Sequence, residues 1–399
     1  MAGGKLYDAV VVGGGPAGAT AAEDLARMGA SVVLLDKAGR IKPCGGAIPP
    51  RLIRDFDIPE QLLKAKAQSA RMISPKSVKV DMPIEGGYVG MVDRDEFDEW
   101  LRERAADAGA ERRTGIFEHY QRDADGNVTL TYRPKGAARG EDLHHIRARA
   151  IVGADGARSE VARQAVTGSE RTPCVFAYHE IIASPETGDD DFDPERCDVY
   201  YQGKLSPDFY AWIFPHGAQT SVGVGSADKG FSLRGAVGDL RKTCHLDEAE
   251  TIRREGAPIP LKPLKKWDDG RNVILAGDAA GVVAPASGEG IYYAMLGGRV
   301  AADAVHAFLK TGEAKELAKA RKRYMREHGQ VFWVLGIMQH FWYRSDKRRE
   351  RFVNICKDPD VQYLTWQAYM NKELVKARPG AHARIFFKDL AHLFGMAPT

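Results

Sequence analysis

The feature that most constrains this chain is Gly13-x-Gly15-x-x-Gly18, set between a continuous apolar run at residues 9–12 and a small-residue stretch at 17–28. An apolar run without alternation is what a strand buried on both faces of a parallel sheet requires. Gly13 permits the tight turn, Gly15 leaves room where a Cβ would collide with a pyrophosphate, and Gly18 lets the following helix pack close to the sheet. That helix start, with Ala17 in its first turn, offers free N–H groups and a partial positive charge to phosphate. Gly29 ends the helix, residues 31–35 read as a second buried strand, and Asp36 closes it. A carboxylate there accepts hydrogen bonds from a ribose 2′-hydroxyl and favours an unphosphorylated ribose, so FAD or NAD rather than NADP. The opening is therefore a βαβ unit built for a dinucleotide.

A second constellation separates FAD from NAD. A short apolar strand pattern at 273–276 leads into GDAAGVVAPASGEGI at 277–291 and then a long helical pattern. Asp278 suits the ribityl hydroxyls of a flavin. Gly288, Gly290 and Ile291 open a helix whose exposed N–H groups suit the negative charge of a reduced flavin ring. Two separated helix starts, one for each end of a long cofactor, fit FAD and exceed what NAD needs; an ordinary turn with a capping Asp is the plainer alternative. A third element, GADGARS at 153–159, follows a strand pattern at 146–152. Taken alone, Asp155 is either a helix cap or a further support for the cofactor.

Between these anchors the pattern changes. Residues 37–50 are rich in Gly and Pro and include KPCGGAIPP at 42–50, which reads as an ordered loop. Residues 70–92 suggest short strands. Residues 95–108 form an amphipathic helix pattern with Phe97, Trp100, Leu101 and Arg104 on one stripe. Residues 123–126 suit a hairpin turn, and 172–226 alternate as antiparallel strands. From residue 313 onward the pattern is helical, with VFWVLGIMQHFWY at 331–343. At roughly 100–200 residues per domain, 399 residues imply two domains or three. The expected fold is α/β: a Rossmann-like FAD-binding domain (1–75, 93–170 and 265–310), an inserted antiparallel-sheet substrate domain (76–92 and 171–264) and a helical C-terminal region (311–399).

Tyr210, Trp212 and Phe214 alternate on one strand pattern and so share a face. Such a wall suits a long apolar polyene; it equally suits a plain sheet core. Arg94 precedes a helix opening and is either a phosphate ligand or a surface cation. Cys44 lies among glycines after the second strand and is either beside a flavin or a buried inert thiol.

The GADGARS element resembles the second fingerprint of the FAD-dependent aromatic hydroxylase superfold. The resemblance then narrows. KPCGGAIPP, the run Pro207-x-x-Tyr210-x-Trp212-x-Phe214-Pro215, and GDAAG…PASGEGI together resemble the geranylgeranyl reductase family over about residues 7–300. The KPCGGAIP form is similar to the branch that acts in chlorophyll or bacteriochlorophyll synthesis. This resemblance implies an FAD-dependent reductase that uses NADPH, or a ferredoxin, to saturate isolated double bonds of a geranylgeranyl group. The group would be carried as the free diphosphate or on the esterified pigment, and the bond nearest the head group would be spared. It implies that Asp155 supports the pyrophosphate, that Arg94 reaches the phosphates, and that Cys44, Gly45, Gly46 and Ala47 lie beside the flavin. An alkene without a carbonyl to polarise it needs a proton as well as a hydride; Cys44 and Tyr210 are the candidate donors. Tyr210, Trp212 and Phe214 would line the tail and stabilise cation-like character through their ring faces. A flavin monooxygenase on the same superfold, or a non-catalytic prenyl-binding carrier, are the alternatives.

Composition excludes other classes. Lys+Arg 57 against Asp+Glu 54 leaves +3, too balanced for a nucleic-acid binder acting through bulk charge. Cys44, Cys174, Cys197, Cys244 and Cys356 offer no CxxC pair and no zinc spacing, so no metal is expected, and their odd, sparse set suits a reducing, cytoplasmic compartment. The short polar start shows no signal-peptide pattern. No uncharged apolar run reaches the ~18 residues of a membrane span. Trp333, His340, Trp342 and Tyr343 nevertheless suit an interface, and Lys347, Arg348, Arg349 and Arg351 follow as a basic cluster. This segment is either a peripheral contact with an inner or photosynthetic membrane, or a core or pocket-closing helix.

Overall fold

A computed structural model of the chain describes residues 5–37, 41–138, 142–186 and 191–372. The chain divides into two compact units. The first comprises Met1–Lys42, Arg94–Cys174 and Pro258–Gly329; the second comprises Pro43–Asp93, Val175–Ala257 and Gln330–Thr399.

The first unit is built on a six-stranded sheet. Leu6–Val12 runs parallel to Val32–Asp36 on one side and to His144–Gly153 on the other. Val273–Leu275 adds parallel to His144–Gly153, and Glu111–Arg122 adds parallel to Val32–Asp36. Val128–Pro134 pairs antiparallel with both Glu111–Arg122 and His144–Gly153, closing the meander. In register, Val10 stands between Val33 and Ile151, and all three are fully buried. Each such side chain contributes roughly 1.5–3 kcal/mol, which is why the unalternating apolar runs lie at the centre. The helix Pro16–Arg27 lies against the helix Ile291–Thr311, where a Cβ at Gly298 would collide with the Ala17 carbonyl. The helix Arg94–Asp107 buries Phe97, Leu101 and Ala105. Its Arg104 stacks on Trp100 at 4.5 Å and pairs with Glu23 at 2.7 Å.

The second unit carries a seven-stranded sheet in the order Thr251–Pro260, Cys174–Ala183, Gln219–Ser226, Ala211–His216, Arg196–Tyr200, Ser69–Ile73, Lys79–Pro83. One face is a conventional core. Ala211, Ile213, Val222 and Val224 pack with Ala236, Val237 and Leu240 of the helix Leu233–Thr243. Ser232 caps that helix by accepting from the Gly235 N–H at 3.2 Å. A smaller sheet sets Val89–Val92 between Ala47–Ile48 and Leu63–Ala67.

These pairings move one expected boundary. Residues 43–75, assigned from sequence to the nucleotide-binding domain, belong to the second unit. Ser69–Ile73 pairs parallel with Arg196–Tyr200, over a hundred positions away. Chain proximity to the βαβ unit carried no information about that pairing. The C-terminal helices are Lys315–Trp342, Asp346–Ile355 and Pro359–Asn371. Residues up to Gly329 fall with the first unit and those from Gln330 with the second. Residues 373–399 lie outside the described residues.

Candidate functional site

In the first unit the glycine turn is shaped for a phosphate. Gly13 has φ +103°, and a Cβ there would collide with Ala154, so the GADGARS loop and the glycine turn are mutually fitted. At Gly15, the N-cap of Pro16–Arg27, nothing lies within 4 Å of where a Cβ would be. The helix has no capping side chain and no acidic residue in its first turn. Its leading N–H groups therefore keep the positive end of the helix for an anion.

Asp36 is braced rather than loose. One oxygen accepts from the Gly14 N–H at 3.0 Å, and the other lies 3.6 Å from Arg102. Arg102 also donates to the Gly14 carbonyl at 3.1 Å. Sequence reasoning missed Arg102, whose position on an ordinary charged helix gave no signal. Lys42 was missed as well, although it begins the KPCGGAIPP run. It forms an ion pair with Asp278, whose side chain is 5% exposed. Gly290 caps the helix Ile291–Thr311, which has no acid in its first turn. Glu289 accepts from the Tyr292 N–H at 3.1 Å, so one of the leading donors at this second helix start is spent internally. Gly288 has φ +64°, and Ile291 is buried at the first helical position.

Two expected phosphate contacts are engaged within their own elements. Asp155 accepts from the Ser159 hydroxyl, from the Glu160 N–H at 2.7 Å and from the Val161 N–H at 3.2 Å. It accepts from the first two N–H groups of the helix Glu160–Ala165, whose N-cap is Ser159, and burial raises its pKa above the ordinary carboxylate value against the pull of those donors. It thereby holds the loop that fits Gly13. Arg94 is no surface cation: it is buried and makes a bidentate pair with Asp98 at 2.8 and 2.7 Å. The chemistry of this set fits FAD: open N–H groups at two glycine-led helix starts, and one carboxylate beside each.

In the second unit the strand Ala211–His216 sorts its side chains by alternation. Ala211 and Ile213 enter the core beneath Leu233–Thr243, so Trp212, Phe214 and His216 take the opposite face. Tyr210, Trp212 and Phe214 form a row, with ring centroids 6.0 and 6.1 Å apart. The Cys44–Gly46 turn lies on this row: a Cβ at Gly45 would stand 2.9 Å from the Phe214 ring. Ala47 and Phe214 pack against the same cluster, which includes Met91 and Val89. Cys44 is half-buried, and its sulfur accepts from the Gly46 N–H at 3.4 Å. Thus Cys44, Gly45, Gly46 and Ala47 share a unit with the aromatic row, while Gly13, Gly15, Ala17, Gly18, Asp36, Arg94, Asp155, Asp278, Gly288, Gly290 and Ile291 share the other. Tyr210 stacks on Phe209 at 4.3 Å and lies 6.1 Å from Tyr201. Burial, then Tyr343 and Cys44, push its hydroxyl well above the ordinary phenol value.

The aromatic run near the C-terminus has two characters. Phe332, Trp342 and Tyr343 are buried, and Tyr343 and Phe352 lie 5.3 and 5.1 Å from Tyr201. Trp333 and Ile337 are exposed, at 67% and 48%. The basic cluster is not wholly a surface feature. Arg349 is 2% exposed, pairs with Asp346 at 2.8 Å and donates to the Pro207 and Tyr343 carbonyls. Among the described residues, no helix is long and apolar enough to cross a membrane, and no three His, Cys, Asp or Glu side chains converge as a metal site.

A family model described as an FAD binding domain matches residues 6–331. A geranylgeranyl diphosphate reductase of Rhodobacter capsulatus is 57% identical over 392 residues, covering 98% of each chain. The chloroplastic geranylgeranyl diphosphate reductase of Oryza sativa is 37% identical, covering 94% of this chain and 84% of its own. A geranylgeranyl bacteriochlorophyll reductase-like protein of Thermoplasma acidophilum shares the fold with a TM-score of 0.80 at 23% identity, covering 95% of this chain and all of its own.

Proposed function

The chain belongs to the geranylgeranyl reductase family of FAD-binding proteins, and from that premise we propose that it saturates isolated double bonds of a geranylgeranyl group with electrons from NADPH. When bound, the flavin supplies the hydride equivalent. The first unit's task is to hold it, through the N–H groups at Gly15 and Gly290 and through Asp36 and Asp278. The second unit's task is the tail. Tyr210, Trp212 and Phe214 seat an apolar chain and favour the electron-poor character an alkene acquires as it is protonated. The thiol hydrogen of Cys44 is the proton that completes the addition. The free diphosphate is the substrate named for the Rhodobacter and rice relatives, and it is the form assigned here, with the esterified pigment as the comparison.

The observation that carries this reading is the seating of the Cys44–Gly46 turn on the Trp212–Phe214 row, which joins a candidate proton source and an apolar wall in one unit. The test is anaerobic incubation with NADPH and either geranylgeranyl diphosphate or the geranylgeranylated pigment, followed by product mass. Gain of two hydrogens per bond without oxygen supports the reading. A hydroxylated product formed only in air would make the protein a monooxygenase, and a colourless protein with no turnover would make it a carrier. Cys44→Ala should slow alkene reduction and leave flavin bleaching by NADPH at the parent rate; equal rates in both half-reactions would discard the thiol. Contact of Trp333 and Ile337 with a membrane surface is part of the same proposal, tested by co-sedimentation of Trp333→Ser with anionic vesicles.

A further inference from the structure

The residue that follows the aromatic motif has an unassigned role. His216 is buried on the Trp212–Phe214 face of its strand. Its Nδ1 lies 3.1 Å from an Asp93 carboxylate oxygen, and its Nε2 lies 3.0 Å from the Gly45 carbonyl oxygen. Both partners are acceptors with no hydrogen to give. The ring therefore spans the two, one nitrogen turned to a carboxylate and the other to a loop carbonyl.

The packing says the same. Gly46 has φ +72°, a region that disfavours side chains, and a Cβ there would collide with both the His216 ring and the Val92 carbonyl. The Val92 N–H donates to the Gly46 carbonyl at 3.0 Å. The Gly46 N–H in turn points at the Cys44 sulfur. A histidine serving only as core filler would need neither a carboxylate nor a backbone carbonyl 171 positions away.

We propose that His216, braced by Asp93, is a positioning residue that fixes the Cys44–Gly46 turn and through it the direction of the Cys44 thiol. Its consequence for catalysis rests on the reading of Cys44 given above; the clamp itself does not.

The experiment measures alkylation of Cys44 by iodoacetamide in the flavin-loaded full chain without substrate, located by peptide mass spectrometry. Cys174, also half-buried but in the other unit, is the reference. Loss of one charge-assisted bond corresponds to a rate change of about tenfold. His216→Ala should raise Cys44 alkylation by that factor relative to Cys174, and added imidazole should restore it. Asp93→Asn preserves the shape while removing the charge, and should act in the same direction with a smaller effect. With geranylgeranyl diphosphate, kcat should fall in both variants while KM is unchanged. Cys44 alkylation at the parent rate in His216→Ala, or a parallel rise at Cys174, would overturn the clamp. If the alanine variant does not fold, an unchanged Cys44 rate in Asp93→Asn overturns it equally. A parent protein that fails to reduce the prenyl substrate would count against the proposed function and leave the alkylation result to decide the clamp.

Discussion

The indole Nε1–H of Trp212 donates to the Ser221 hydroxyl oxygen at 3.1 Å, and that oxygen lies 2.9 Å from Nδ1 of His179. His179 in turn reaches Glu255 at 3.0 Å through Nε2. Gly223 makes room for the indole against the sheet, since a Cβ there would collide with its ring. The ring is thus held by a polar chain at its edge and by backbone beneath it.

Trp212 therefore admits a graded test. Trp212→Phe keeps an aromatic face and removes the donor, at a stability cost of about 1 kcal/mol. Trp212→Ala also removes the ring, at a cost of about 3–5 kcal/mol. Both variants should keep their flavin, since Asp36, Asp278 and the two glycine-led helix starts all belong to the other unit, while prenyl turnover falls in the order parent, Phe, Ala. The flavin-to-protein absorbance ratio and product mass read the two effects separately. Flavin lost in step with turnover would refute the wall.

Lys42 is predicted to act through Asp278. Its head is 40% exposed, so solvent screens the pair and the contribution is well below that of a fully buried bridge. Lys42→Met should weaken FAD retention by about tenfold, or ~1.4 kcal/mol. The same change made in Asp278→Asn should add little, because the partner is already gone. A fluorescence titration of the apoprotein with FAD measures the cycle; additive losses would mean that the two residues act independently.

Arg102 braces Asp36 and the Gly14 carbonyl together. Arg102→Ala should speed FAD release and lower the flavin content of the purified protein. Arg102→Lys should recover only part of it, because an ammonium lacks the Nε and Nη2 donors that pair with Glu99 and fix the group while Nη1 reaches Asp36 and Gly14. The set of saturated products should not change. A shift in product pattern at full flavin occupancy would assign Arg102 to the substrate instead.

Alkaline stability should carry the mark of Cys197. Burial pushes its thiol up to about 12, with Asp198 adding to the effect, against about 9 for an unhindered thiol. The folded state therefore keeps this proton after the unfolded chain has lost it. The contribution is fully present below pH 9 and is lost progressively as pH climbs from 9 to 12. Urea denaturation at stepped pH should show a steeper alkaline decline in the parent than in Cys197→Ala. Parallel curves would show that burial of this thiol is not felt in the folding equilibrium.

The sequence by itself determined the nucleotide half of the protein. Gly13, Gly15, Gly18 and Asp36 carry their meaning locally, because a tight turn, a helix start and a strand-end carboxylate are all made by neighbours in the chain. The alternation of Tyr210, Trp212 and Phe214 was legible for the same reason: period two decides which side chains share a face. Tertiary structure alone decided which face is core, since that depends on where the helix Leu233–Thr243 comes to rest. It also decided that Arg94 is buried and paired with Asp98, that Asp155 accepts from the start of the helix Glu160–Ala165, and that residues 43–75 group with the second unit. Lys42 with Asp278, Arg102 with Asp36, and His216 with Gly45 each span dozens to hundreds of positions. Pairs of that kind are set by the sheet pairings and packing that bring distant segments together, and a charge or a histidine read in its own neighbourhood has no way to show which distant partner will meet it.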